Sequence, residues 1–229
     1  MAPSGTAIWN TVLDWLFPRF CLLCGAPLKR HQFLCSACWQ SLPPNPDTRL
    51  EDLWLAREQR EVLYLDGFSV PYAFSESVQL LIHAVKYSRK TRILPEWFDE
   101  CRGLLLSAVA PLSLDLVTPV PLHRKRRRWR GFNQSELIAR ELSRAAGIPL
   151  RTDLLHRARN TVSQTTLKAD ERLQNVREAF RLLHPGAVKG KRVLVVDDLL
   201  TTGATMNECA RALKEGGVTC VYGFALARA

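Results

Sequence analysis

The stretch 193-VLVVDDLLTTGATM-206 runs four branched apolar residues into two adjacent carboxylates, Asp197 and Asp198, and then into a short turn of threonine and glycine. Apolar runs of this kind form buried strands, and an unpaired carboxylate is costly inside a sheet. The acids therefore belong at the carboxyl end of the strand, where open α/β sheets hold their ligands. The turn 201-TTGAT-205 leads directly into a predicted helix, 204-ATMNECARALKEGG-217. Its backbone N–H groups, with the hydroxyls of Thr201, Thr202 and Thr205, make an anion nest backed by the helix dipole. Gly203, followed by Ala204, lets the backbone approach closely. Carboxylates for two hydroxyls beside a nest for one phosphate describe a ribose 5-phosphate.

Outward from this stretch the chain alternates. Residues 115–120 read as a strand and 133–147 as a helix capped by Asn133 and Glu136 and stopped by Gly147. Residues 191–196 are a strand and 218–226 a last strand. Strands alternating with helices imply parallel pairing in an open α/β sheet with flanking helices. Upstream, 75-SESVQLLIHAVKY-87 has Val78, Leu81, Ile82 and Val85 at helical spacing behind a cap, Ser75. Residues 62–74 carry two apolar runs around Asp66-Gly67, which predicts a hairpin whose second strand Pro71 confines to an edge. The Pro-rich 42-LPPNPD-47 reads as a linker.

Three other phosphate-binding designs share parts of the pattern. A Walker A loop requires G-x-x-x-x-G-K-[ST], and a Rossmann turn G-x-G-x-x-G; neither is present. A phosphoacceptor receiver domain also opens with a strand ending in two acids, but it needs most of its sheet downstream, and only Leu199 to Ala229 follow.

The segment 21-CLLCGAPLKRHQFLCSACW-39 holds two C-x-x-C pairs, Cys21/Cys24 and Cys35/Cys38, separated by ten residues. Four thiolates complete a closed tetrahedral site, the structural kind of zinc centre, because a catalytic ion keeps one position open. Two disulfides or a redox C-x-x-C are the competing readings; the expectation of a reducing cytoplasm opposes the first, and a thioredoxin-like site would want one pair, not two. Cys101, Cys209 and Cys220 are scattered and are expected to be buried spectators.

With 229 residues, 47% hydrophobic and 24% charged, the composition is that of a folded globular chain. A net charge of +10 selects polyanions as large partners. The segment 123-HRKRRRWR-130 concentrates Arg124, Arg126, Arg127, Arg128 and Arg130 in a basic loop. Trp129 and Phe132 are either stacking faces for bases or anchors in the core. The N-terminal 7-AIWNTVLDWLF-17 lacks the basic flank and cleavage site of a signal peptide. It reads as a short docked helix, with peripheral contact at a membrane surface the lesser reading. No run reaches the roughly 20 apolar residues of a membrane span, so a cytoplasmic protein is expected.

The apolar strand, acid pair and T-T-G-x-T turn resemble the phosphoribosyl pyrophosphate (PRPP) loop of type I phosphoribosyltransferases. Together with 21-CLLCG-25, 35-CSAC-38, 119-PVP-121, 130-RGFNQSELIARELS-143 and 164-QTTLKADERLQNVREAF-180, they resemble the ComF family of competence and DNA-utilisation proteins across nearly the whole chain. The resemblance implies a phosphoribosyltransferase-like domain over 60–229, preceded by a small four-cysteine zinc module over 1–45. It assigns Asp197 and Asp198 to the ribose hydroxyls as the catalytic pair. It assigns Thr201, Thr202, Gly203, Ala204 and Thr205 to the 5-phosphate, 119-PVPLHR-124 to the pyrophosphate side, and 157–175 to a flexible loop over the substrate. Lys86 matches a recurrent family lysine. Zn²⁺ would be structural and Mg²⁺ would accompany PRPP. Single-stranded DNA and the DNA-uptake or helicase machinery are the implied partners. Active glycosyl transfer to an unknown acceptor is the alternative, because residues 62–110 offer no recognisable base pocket. Glutamine-dependent chemistry is not expected, since residue 2 is alanine and Cys21 and Cys24 belong to the zinc motif.

Overall fold

The computed structural model describes residues 19–29, 32–45, 50, 53, 62–87, 90–159 and 175–229. The predicted helix over 7–17 lies outside them, as does nearly all of the 157–175 loop. The described chain opens with an antiparallel ribbon, β1 (Arg19–Phe20) with β2 (Pro27–Leu28), and a short helix, α1 (Ser36–Gln40). Then come β3 (Gly67–Ser69), β4 (Tyr72–Ala73) and three helices, α2 (Glu76–Tyr87), α3 (Ile93–Glu100) and α4 (Arg102–Val109). Strand β5 (Leu116–Pro119) leads into α5 (Arg124–Arg130) and α6 (Gln134–Ala146). A ribbon of β6 (Leu155–Arg157) and β7 (Phe180–Leu182) precedes β8 (Arg192–Leu200), α7 (Ala204–Glu215) and β9 (Cys220–Arg228).

The central sheet is parallel throughout, in the order β5, β8, β9 and an edge built of β3 and β4. Side chains on β8 alternate between its faces. Leu194 and Val196 join Val117, Phe224 and Leu226 in a core that includes side chains of α2, α3, α4 and α6. Val193 and Val195 join Leu116, Val221 and Ala225 beneath α7, which contributes Met206, Cys209 and Leu213. Leu34, Trp39, Leu42 and Cys21 of the zinc module belong to the first of these cores, where Trp39 and Tyr72 both pack on the fully buried Trp97 at ring separations of 6.0 and 5.9 Å.

The hairpin expected around Asp66-Gly67 is absent: β3 and β4 run the same way along β9, with Gly67 opposite Tyr222 and Tyr72 opposite Ala227. Tertiary partners override the turn signal. The Asp66 carboxylate accepts from the Val221 N–H (2.7 Å) and pairs with Lys214 (2.7 Å). Gly67 lies so close to the Tyr222 ring that a Cβ would sit 2.9 Å from it. The glycine thus permits close approach rather than a turn, and Pro71, without an N–H, separates two edge segments as its chemistry requires. The basic stretch expected as a loop is the helix α5, closed at its start by His123 Nδ1, which accepts from the Lys125 N–H at 3.3 Å. Burial, then the nearby Arg157 and Lys125, hold the His123 ring below its usual range, which suits an accepting nitrogen. Among the described residues, no helix is long and apolar enough to cross a membrane.

Candidate functional site

Strand β8 does not end at the acid pair. It continues to Leu200, with Leu199 paired to Ala227 and Leu200 to Arg228, and the alternation carries the two acids to different surroundings. Asp198 follows Leu194 and Val196 and sits beside Ile82, Val85 and Ile138, where Lys86 from the last turn of α2 meets its Oδ2 at 2.5 Å. Their side chains are only 9% and 17% exposed. Asp197 borders the Thr201–Met206 turn; its Oδ1 accepts from the Ser135 hydroxyl (2.8 Å), in the first turn of α6, and from the Asp198 N–H (2.9 Å). Burial, then the Asp198 charge, push the Asp197 carboxyl up to about 7 against the pull of Ser135.

The turn itself caps α7. Gly203, at φ 86°, adopts the left-handed conformation that a side chain resists, and Thr202 Oγ1 accepts from the Ala204 N–H at 3.3 Å. Thr201 and Thr205, together with both acids, line a cavity of about 380 Å³. The charged side chains of the lining are otherwise cationic: Lys86, paired with Asp198, and Arg126, Arg130 and Arg157. Arg157 closes β6, buried, with its guanidinium 5.2 Å from the Phe180 ring centre. Burial and then a neighbouring guanidinium pull Arg126 and Arg157 below the usual arginine range, Arg130 acting on Arg126 and Arg126 on Arg157. A pocket that crowds cations in this way is relieved by a bound anion.

The five arginines of the basic stretch do not act as one group. Arg126 and Arg130, one helical turn apart, face the cavity, and Arg130 also donates to Gln134. Arg127 turns to Glu136 at 3.4 Å, while Arg124 and Arg128 are exposed. Trp129 is 69% exposed, so it is no core anchor, whereas Phe132 is half-buried. Sequence reasoning missed Ser135, Gln134, Tyr87 and Arg157 as parts of the cavity wall. Ser135 read only as part of a helix start, and Arg157 as the beginning of a loop.

The four sulfurs of Cys21, Cys24, Cys35 and Cys38 lie within 4.8 Å of one another, with Cys24 Sγ 3.7 Å from Cys35 Sγ. A tetrahedral zinc with bonds of about 2.3 Å sets its sulfurs about 3.8 Å apart, so the residues fit the ion. The thiols are already unequal. Burial opposes ionisation of Cys21, yet hydrogen bonds from the Cys24, Cys35 and Leu23 backbone bring it down to about 6. Burial and the neighbouring thiols push Cys38 up. Glu96 of α3 anchors the module, accepting from the Phe33 N–H (2.8 Å), the Leu34 N–H (3.3 Å) and the Trp39 indole N–H (2.8 Å). Of the other cysteines, Cys101 and Cys209 are buried and Cys220 is partly so.

Residues 133–228 match the Phosphoribosyl transferase domain family and residues 12–49 the Double zinc ribbon domain family, which together with the cysteine cluster supports a structural zinc. The chain is 34% identical over 214 residues to DNA utilization protein YhgH of Escherichia coli O157:H7, covering 91% of this chain and 83% of that protein. It is 29% identical to Competence protein F of Haemophilus influenzae, covering 93% and 86%, and 29% identical to Competence protein ComFC of Bacillus subtilis, covering 92% and 78%. These relatives are named for DNA utilisation and competence, and at this identity and coverage the chain belongs to their family, ComF.

Proposed function

We propose that the cavity binds PRPP and that the protein handles single-stranded DNA in competence and DNA utilisation. One observation carries the first half: a single cavity is lined by Asp197, Asp198, Thr201 and Thr205 of the turn, and by Lys86, Arg126, Arg130 and Arg157. In this reading the acids hold the ribose hydroxyls, and the turn, with Gly203 and Ala204, cradles the 5-phosphate. The cations receive the pyrophosphate. Mg²⁺ would neutralise charge on the pyrophosphate; among the described lining residues, Asp197 and Asp198 are the acids near enough to assist it. The names of the relatives and the net charge of +10 support the second half. A cytoplasmic location, contact with uptake or helicase machinery, and the division into 1–45 and 60–229 belong to the same proposal.

Glycosyl transfer from PRPP to an acceptor is the second reading. Asp197 favours it, because a carboxyl near 7 suits proton transfer at neutral pH. Calorimetry separates binding from chemistry. Asp197→Asn should leave the fold intact and weaken PRPP binding about tenfold or more, the loss of a charge-assisted hydrogen bond worth roughly 1.5–3 kcal/mol. Equal affinity in variant and wild type overturns the PRPP assignment. Release of pyrophosphate from PRPP, stimulated by single-stranded DNA, would establish the transferase reading.

A further inference from the structure

We propose that α5 is a two-faced helix at the mouth of the cavity. Its inner face, Arg126 and Arg130, meets the phosphates of the cavity ligand. Its outer face, Arg124 and Arg128, together with Trp129 on the flank between the two faces, where it meets the cavity-wall residue Tyr87, forms a ledge for the backbone and one unpaired base of single-stranded DNA. The inference deepens the reading above and rests on it for the identity of both ligands.

Helical geometry makes the division. At about 100° per residue, positions four apart share a face and positions two apart lie nearly opposite. Arg126 and Arg130 therefore point together into the cavity, while Arg124 and Arg128 point together away from it, as their exposure shows. A uniform basic patch would not sort its charges in this way.

Trp129 supplies the second observation. Trp39 and Trp97 are buried, but Trp129 is the most exposed of the large hydrophobic residues described, at 69%. Its ring meets Tyr87, 47% exposed, at 6.2 Å and 65°. Tyr87 lies in turn 5.3 Å from the Arg130 guanidinium and 4.4 Å from the His83 ring. The result is a cation-braced aromatic step whose outer ring face is open to solvent. Such steps stack nucleobases, and only an unpaired base offers its face. An anionic membrane also attracts arginine and tryptophan, but it takes up an apolar helix face, and the neighbours of Trp129 along α5 are all cationic.

The test uses the full zinc-loaded chain and a fluorescent oligothymidylate, with anisotropy read at several salt concentrations and PRPP affinity read by calorimetry. Arg124→Ala with Arg128→Ala should reduce the log–log salt slope by about 1.4, at about 0.7 per phosphate, and leave PRPP affinity unchanged. Trp129→Ala should weaken the oligonucleotide about fivefold or more without changing the slope, and Trp129→Phe should restore most of the loss. Arg126→Ala with Arg130→Ala should weaken PRPP instead. Outer-face variants that bind the oligonucleotide like wild type overturn the ledge and leave the DNA reading standing. A wild-type chain that binds no oligonucleotide overturns both. Equal loss of PRPP and DNA affinity in the outer pair shows that the faces are not separate and overturns the division of α5. Trp129→Ala that releases phosphatidylserine vesicles while keeping the oligonucleotide assigns the ledge to a membrane and overturns the proposal.

Discussion

Replacing Lys86 with methionine keeps the apolar stem of the side chain and deletes the charge that meets Asp198 at 2.5 Å. With the two side chains 17% and 9% exposed, solvent can do little to compensate the stranded carboxylate. Breaking a pair buried to this degree costs roughly 3–5 kcal/mol, because the remaining charge keeps its desolvation penalty and loses its partner. The penalty should largely disappear when Asp198→Asn is added, since an amide beside a thioether leaves no charge unpaired. A double-mutant cycle followed by urea denaturation in zinc-replete buffer should therefore show coupling of about 2 kcal/mol or more. Lys86 also helps to hold the Asp197 carboxyl down, so the single variant should raise that group further and lose PRPP affinity. Effects of the two substitutions that add within about 0.5 kcal/mol would show that the pair is not coupled, and the account of Lys86 as the partner that keeps Asp198 in place would be wrong.

Glu96→Ala removes the acceptor for three donors of the zinc module and should lower stability by about 3 kcal/mol or more, with faster loss of zinc to a chelator; Glu96→Gln should fall between. Wild-type stability and chelator resistance in Glu96→Ala would refute the anchor. The Asp197 carboxyl titrates at about 7 in the fold against 3.8 unfolded, so the native state binds this proton more tightly. Its contribution to stability is present below about pH 4 and is lost as the pH rises towards 7. Thermal melts of Asp197→Asn without ligand should converge with wild type in acid and exceed it above pH 7; a gain confined to acid would contradict the assignment.

The parts of the molecule legible in its sequence are those written in local chemistry. Helix α6 starts where Asn133 accepts from the Ser135 N–H and stops at Gly147 in the left-handed conformation, and both signals sit within the segment they delimit. The four cysteines likewise carry their spacing with them. The hairpin at Asp66-Gly67 failed because its partners, Val221, Tyr222 and Lys214, are some 150 positions away. Lys86 and Ser135 were obscure for the same reason: their meanings are Asp198 and Asp197, joined only by the sheet. Helix α5 was readable in principle. Arginine and lysine are good helix formers, and Gly131 at φ 86° terminates the segment, but a run of like charge masked the propensity.

The pairing of β3 and β4 with β9 fixes an order on biosynthesis. The edge strands lie at residues 67–73, yet their partner β9 is translated only about 150 residues later. Phe224 and Leu226 complete the core that Trp39 and Trp97 begin. At roughly 5–20 residues per second, roughly 10–40 s separate the emergence of Cys38 from that of β9. Through this interval the nascent chain holds its metal ligands but not its sheet. Zinc can be captured during translation, whereas the acid pair, the threonine turn and the cationic residues gain their complete sheet only once β9 has emerged. A message truncated before β9 would give a chain able to sequester metal and unable to form the cavity.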